Sequence, residues 1–240
     1  MAKRKSSKKS SKKTSATQLL QRSTRCAWRA LLSCGVLVLL LLIFGRFVAP
    51  LTTPYMFSES RQLGGVEYDW VDLENVAPVM VRSVVAAEDA NFCTHWGFDM
   101  AAIRDAIEDG GTRGASTLSQ QTVKNLYLWH GRNYTRKVLE ALLTPVLEAV
   151  WPKQRIIEVY LNIAEFDRGV FGVKAAAQHY FGVGPSELSA TQSARLAAIL
   201  PNPKERSASK PSNFVRRRTQ SIMDGAATIR KDGRAACFES

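Results

Sequence analysis

Val76-Ala77-Pro78-Val79-Met80-Val81-Arg82-Ser83-Val84-Val85-Ala86-Ala87-Glu88-Asp89-Ala90-Asn91-Phe92, followed by His95 and Gly97, is the stretch on which the fold turns. Val79, Met80, Val84 and Val85 recur at helical spacing, so the run reads as a core helix that ends on a carboxylate. No Lys or Arg lies between Glu88 and Asn91. The C-terminal end of a helix carries partial negative charge, so an acid placed there should hold its proton more tightly than a free glutamate. A carboxylate set against the local field suits a general base. Taken alone, a solvated acidic helix end explains the same residues, and the rest of the chain has to decide.

Outward from this helix the chain stays helical. Hydrophobic spacing places helices at 76–88, 98–108, 117–127, 136–151, 153–163, 172–180, 189–199 and 211–230, with Gly- and Pro-rich turns between them. Pro152 ends one helix and is placed to start the next. Ser189-Ala190-Thr191-Gln192 has capping-box spacing. No run of alternating strand residues and no repeat is visible, so the expected class is all-α. The expected organisation is a basic disordered tail at 1–29, a transmembrane anchor at 30–51, a linker at 52–75, the helical domain at 76–230 and a short tail at 231–240.

The net charge of +12 belongs to one end of the chain. Residues 1–46 hold eleven Lys or Arg and no acid, leaving 22 basic against 21 acidic residues in the remainder. A near-neutral domain is not a nucleic-acid binder by charge. Residues 1–29 are rich in Lys and Ser and read as disordered. Ala30 to Leu51 is apolar apart from Arg46 and long enough to span a bilayer as a helix. Ten positive charges precede it, which keeps the tail on the cytoplasmic side and sends the rest across. A cleaved signal peptide is the competing reading; the long basic region and long apolar run favour an uncleaved anchor. Cys26 and Cys34 lie at and within the anchor. Cys93 and Cys237 lie in the exported part, where an oxidising compartment permits a disulfide; 144 residues apart and with no framework around them, they read as free thiols rather than a pair. His95, His130 and His179 are scattered, and no cluster has metal-ligand spacing.

Three further blocks could carry chemistry. In Gly114-Ala115-Ser116-Thr117-Leu118-Ser119-Gln120-Gln121-Thr122-Val123-Lys124-Asn125, which follows Arg113, a glycine turn leads into a helix whose Thr117 and Gln120 have capping-box spacing. A helix start suits a phosphate or pyrophosphate. Thr117, Gln121 and Lys124 share one face by spacing. In Arg136-Lys137-Val138-Leu139-Glu140, Arg136 and Glu140 are spaced for an ion pair, or Glu140 is a second acid facing Glu88 across a cleft. Leu139, Leu142, Leu143, Val146, Leu147 and Val150 form the apolar stripe of that helix. In Lys153-Gln154-Arg155-Ile156-Ile157-Glu158-Val159-Tyr160-Leu161-Asn162, Lys153 and Arg155 are expected to add positive charge to the cleft, while Glu158 and Tyr160 read as structural.

Together these blocks resemble the peptidoglycan glycosyltransferases, and most closely their monofunctional biosynthetic members. Glu88-Asp-Ala-Asn-Phe92-Cys-Thr-His95-Trp-Gly97-Phe-Asp99, Gly114 to Asn125, Arg136 to Glu140, Arg155 to Asn162 and Ala190 to Pro203 match five motifs in order, from about Val76 to about Arg218. The anchor and the lack of a following transpeptidase domain fit the monofunctional type. One departure is Asp105, where the family often carries a basic residue; Arg104 stands next to it.

The resemblance implies a lysozyme-like, bilobal helical domain that polymerises lipid II. Glu88 would be the base that deprotonates the acceptor 4-hydroxyl, inversion would give the β-1,4 link, and undecaprenyl diphosphate would leave. Ser116, Thr117, Gln120, Gln121, Lys124, Asn125, Arg136 and Lys137 would bind substrate, with Lys124, Arg136 and the helix start on the diphosphate. Glu140 would be a catalytic acid on the donor side that positions those cations. No cofactor is required, although Mg2+ or Mn2+ at the pyrophosphate is compatible with the chemistry. The implied partners are lipid II, the nascent glycan chain, the bilayer and proteins of cell-wall synthesis or division, with no nucleic acid. The implied place is the bacterial inner membrane, with a single pass, the N-terminus cytoplasmic and the catalytic domain outside. Asn125 to Trp129, beside Arg132 and Arg136, would dip into the interface or pack in the core. A glycan-cleaving lytic transglycosylase or lysozyme, and a non-catalytic tethered scaffold, are the rival readings. Neither calls for a diphosphate site.

Overall fold

The computed structural model describes residues 7–110, 114–131 and 133–239. Two units are distinguished, 1–45 and 46–240. The first is the helix α1 (Ser7–Phe47), which continues to the start of the second. Its stretch from Gln21 to Phe47 is long and apolar enough to cross a bilayer, and Leu31, Leu32, Val36, Leu37 and Phe44 on it are exposed. The helix begins well inside the stretch expected to be disordered. From Ser7 to Cys34 there is neither Pro nor Gly, so nothing stops the apolar helix from extending back through Lys, Gln, Arg and Leu, which are good helix formers.

In the second unit the order is α2 (Pro54–Leu63), β1 (Glu67–Tyr68), α3 (Pro78–Glu88), α4 (Met100–Glu108), α5 (Leu118–Tyr127), α6 (Tyr134–Val150), α7 (Lys153–Ile163), β2 (Glu165–Asp167), β3 (Val170–Phe171), α8 (Val173–Phe181), α9 (Ala190–Ile199) and α10 (Asn213–Asp232). The eight helices read from spacing are all present. The stretch 52–75, read as a linker, contains α2 and β1. Thr53 accepts from Met56 N at 3.1 Å, Pro54 holds the first turn, and Gly64 closes the helix in the left-handed region. These start and stop signals are strong enough to make a helix without an apolar stripe.

β3 pairs parallel with β1 and antiparallel with β2, a sheet too short to show as alternation. Asn162, at the end of α7, receives a bond from Val71 N and donates to Val71 O, pinning the incoming chain beside it.

Helices α3, α9 and α10 pack on one another, and α5 packs on α6 and α7. The first group is built on small side chains. Ala194, Ala197 and Ala198 of α9 are fully buried, so the helices approach closely. Gly225 of α10 faces Ala86 of α3 so closely that an added Cβ would lie 3.1 Å from the Ala86 methyl. Burial of Met80, Val84, Val85, Leu196 and Ile199 stabilises this group by roughly 1.5–3 kcal/mol per side chain. Its effect is to fix the last turn of α3, and with it Glu88.

Cys93 and Cys237 are joined in a disulfide, with Cα atoms 5.6 Å apart. The expectation of two free thiols is corrected. The sequence shows no framework because the pairing is made by the return of the C-terminal segment across the domain.

Candidate active site

Glu88 closes α3, and the chain turns immediately after it at Asp89. Asp89 is a buried joint. Its Oδ1 lies 2.8 Å from His95 Nε2, and its Oδ2 accepts from Leu118 N, the first amide of α5, at 2.9 Å. The helix that bears the acid is thereby tied to the start of the helix that bears Gln121 and Lys124. Gly97 lets the turn pass under α6. It takes φ 86°, and a Cβ there would meet Thr144 Cγ2 at 2.7 Å.

Gln121 Nε2 donates to Glu88 Oε2 at 2.9 Å, and Tyr160 Oη donates to Gln121 Oε1 at 3.3 Å. The other carboxylate oxygen, Oε1, is shielded and makes no hydrogen bond among the described residues. Burial raises the proton affinity of Glu88 above that of a free glutamate, and Asp89 adds to this. The Gln121 bond, Arg218 and Lys124 act in the opposite sense. Desolvation rather than the helix end is the main cause.

Glu140 is held quite differently. It is 2% exposed, and both its oxygens are engaged, one by Arg136 Nη1 at 2.8 Å and the other by Lys137 Nζ in a very short contact. Lys137 also reaches Ser116 Oγ at 3.4 Å. Burial lowers the proton affinity of Lys124, with Arg136 and Lys137 in the same sense and Glu140 and Glu88 against it. Lys124 thus feels both carboxylates. Arg136, Lys137, Ser116 and Glu140 form a positive rim beside it, with Glu140 as the counter-charge that holds its shape.

Thr117 and Gln120 are buried and turned inward. Their capping box is formed, and Thr117 Oγ1 donates to Gly97 O at 2.7 Å. The amides of Leu118 and Gln120 are already taken, by Asp89 and Thr117 respectively. The helix start is therefore largely satisfied from within, and side chains are what remains for an anion. Asn125 lines the same cleft as Gln121 and Lys124, within hydrogen-bond distance of His130 Nε2 (3.3 Å). Arg113 and Arg132 lie outside the described residues.

Lys153 and Arg155 do not join the cleft. Lys153 bonds Glu148 at 2.7 Å and His95 O at 2.9 Å over the Phe92 ring. Arg155 pairs with Glu158 at 2.6 Å and donates to Val48 O. Arg155 takes its acid from i+3 on the same helix, and Lys153 takes its acid from the last turns of α6.

Gln121, Lys124, Asn125 and Tyr160 line a cavity of about 340 Å³, closed by Tyr55, His130, Glu165 and Pro201 to Lys204. Tyr55 Oη donates to Glu165 Oε2 at 2.6 Å, and Lys204 approaches Glu165 and Glu59. His130 is held neutral, its pKa pushed down to about 4 by burial and by Lys124, Arg136 and Lys204. Among the described residues no group of three or more His, Cys, Asp or Glu could hold a metal ion.

A shielded acid with no partner on one oxygen among the described residues, bonded through Gln121 to the helix that carries Lys124, is equipped to accept a proton. The family model described as transglycosylase matches residues 58–227. The chain belongs to the transglycosylase family. A protein named biosynthetic peptidoglycan transglycosylase from Jannaschia sp. (strain CCS1) is 57% identical over 240 residues, 99% of each chain. Proteins of the same name from Caulobacter vibrioides (45%, over 81% of this chain and 87% of the relative) and Rhodospirillum centenum (43%, over 92% and 97%) are also similar. This transglycosylase is thus a glycosyltransferase with the lysozyme-like helical fold that the motifs implied. Residues that spacing does not single out stand beside those predicted: Tyr160, which reads as structural from the sequence, bonds Gln121. Arg218 of α10 donates to Ala87 O at 3.1 Å, one residue before Glu88. Tyr55 comes from the supposed linker, and no local signal links it to Glu165.

Proposed function

We propose that this transglycosylase polymerises lipid II into β-1,4 glycan strands, with Glu88 as the general base and undecaprenyl diphosphate as the leaving group. The observation that carries the reading is the shielded Oε1 of Glu88, without a partner among the described residues, on a carboxylate of raised proton affinity that feels Lys124, which in turn feels Glu140, Arg136 and Lys137. Oε1 takes the proton of the acceptor 4-hydroxyl. The hydroxyl oxygen forms the new bond to C1 of the donor sugar as the bond from C1 to the phosphate oxygen breaks, with inversion. The electron pair leaves with the diphosphate, where Lys124, Arg136 and Lys137 meet the growing charge. The Gln121 amide aims the carboxylate, and Tyr160 aims the amide.

A substrate with a polyprenyl tail keeps the reaction at a bilayer. Tyr134, Val138, Leu142 and Val146 follow one another at four-residue intervals on α6 and are exposed, Tyr134 by 94% and Leu142 by 63%. Trp129 is exposed beside them, whereas Leu128 packs inward. This apolar edge adjoins the cation rim, which suits catalysis at a lipid surface. The charge asymmetry around the anchor supports a cytoplasmic N-terminus, and the Cys93–Cys237 disulfide supports an oxidising, extracytoplasmic compartment for the domain. The setting proposed is the bacterial inner membrane.

The test is incubation of the detergent-solubilised full chain with lipid II. Polymer from the wild type and none from Glu88→Gln is the expected result. Digestion of finished glycan, or activity that survives Glu88→Gln, would overturn the reading.

A further inference from the structure

The C-terminal residues 234–239 return to one place. Arg234 Nη1 donates to Ala90 O at 3.1 Å, Cys237 is bonded to Cys93, the Phe238 ring lies 6.4 Å from that of Phe92, and Glu239 pairs with Arg82 of α3 at 2.6 Å. Every one of these contacts lands on α3 or on the turn that follows it. That turn, Asp89 to Phe98, has no regular structure of its own. It carries Asp89, the joint between Glu88 and the start of α5. From below it is held by Phe92, fully buried under Lys153. From outside, the C-terminal segment is what covers it, and the disulfide is its covalent tie.

We propose that residues 234–239 are a disulfide-locked clasp, in which Cys93, Cys237 and Phe238 are positioning residues for Glu88 and the oxidation state of the pair sets the rate of glycosyl transfer. The clasp reaches the base through two routes. Arg82 and Phe92 bracket α3 and the turn directly, and Asp89 passes the position of the turn to Leu118 and so to Gln121. Both cysteines are half-buried and open to a reagent of modest size. Closing the clasp joins the two Sγ atoms and releases two protons and two electrons, which reduce the disulfide of a thiol–disulfide oxidant to a dithiol; a dithiol reductant reverses the exchange. Lys124, Arg136 and Lys137 take no part in the clasp, so substrate holding should be spared while base placement is lost.

This inference rests on the reading of Glu88 as the base, and two measurements keep the two claims apart. Amide hydrogen exchange is compared for the full chain, oxidised and after dithiothreitol, and for the Cys93→Ser/Cys237→Ser and Phe238→Ala variants. Exchange should rise in 89–98 and at the start of α5 and stay unchanged in α7 and α9. In lipid II polymerisation, kcat should fall roughly ten- to a hundredfold on reduction, the loss that a small misplacement of a reacting group brings, with KM little altered. Re-oxidation should restore the wild type and leave the double serine variant unmoved. Unchanged protection of 89–98 on reduction, or a reduced enzyme with the oxidised kcat, would overturn the clasp. Changed protection in a chain inactive in both states would keep the clasp and sink the lipid II reading instead. Should the double serine variant fail to fold, reduction of the wild type and Phe238→Ala still decide.

Discussion

Glu88 and Glu140 are the same side chain in two surroundings. Glu140 is buried with a cation on each oxygen; Glu88 is half-buried, with an amide on one oxygen and, among the described residues, no partner on the other, which is shielded from solvent. Burial with full pairing makes a fixed negative charge, which organises Arg136 and Lys137. Shielding with one oxygen unpartnered makes a proton acceptor. Two acids at a cleft therefore need not be an acid–base pair, and what separates their roles is the company each keeps rather than their spacing along the chain.

The comparison is broken most sharply at Glu88. Glu88→Gln should lower polymerisation by roughly 10²–10⁴-fold, the contribution of a positioned base, with circular dichroism unchanged. The stability effect has a definite sign. Because the folded-state pKa is raised above the ordinary 4.5, the folded chain binds more protons than the unfolded one in the window between the two values. Ionised Glu88 thus costs stability, and the cost grows as pH rises through that window. Glu88→Gln should melt above the wild type at neutral pH, with the gap closing below pH 4.5. The wild-type rate should in turn fall on acidification at a higher pH than an ordinary glutamate would give, read from the pH profile of kcat/KM.

Glu140→Gln should behave in the opposite way. It leaves the shielded Arg136 without its acid, while Lys137, 48% exposed, turns to water, so both activity and stability drop, the latter by roughly 1–3 kcal/mol, measured by denaturant titration. A variant as stable and as fast as the wild type would remove Glu140 from the organising role. Next in size is Lys124→Ala, which should cost roughly ten- to a hundredfold in kcat/KM, the scale of a lost charged hydrogen bond, with little change in melting. The smallest effect is expected at Tyr160→Phe, which deletes one bond to Gln121 and should slow turnover by roughly two- to tenfold.

Much of this was legible in the chain. Apolar spacing and capping pairs such as Thr117/Gln120 and Ser189/Gln192 placed eight helices to within about two residues, because helix limits are set by neighbours in sequence. The helix α2 is marked only at its ends, by Thr53, Pro54 and Gly64, and has no apolar stripe for hydrophobic period to show. The site was legible where its residues share a motif. It was not where partners lie far apart, as with Tyr55 and Glu165, Arg218 and Ala87, or Cys93 and Cys237. Nor could spacing show that Lys153 would pair with Glu148 on another helix, or that the amides at the start of α5 would be taken by Asp89 and Thr117.

Gly225 carries no chemistry, yet its missing side chain lets α10 lie against Ala86, two residues from the base. A methyl there overpacks the contact at a cost of roughly 1–3 kcal/mol, borne by the helix that aims the carboxylate. Gly225→Ala is the kind of change that would surface in a genetic screen as heat-sensitive growth rather than outright death: a conditional allele far from any substrate, hidden in an alanine-lined seam.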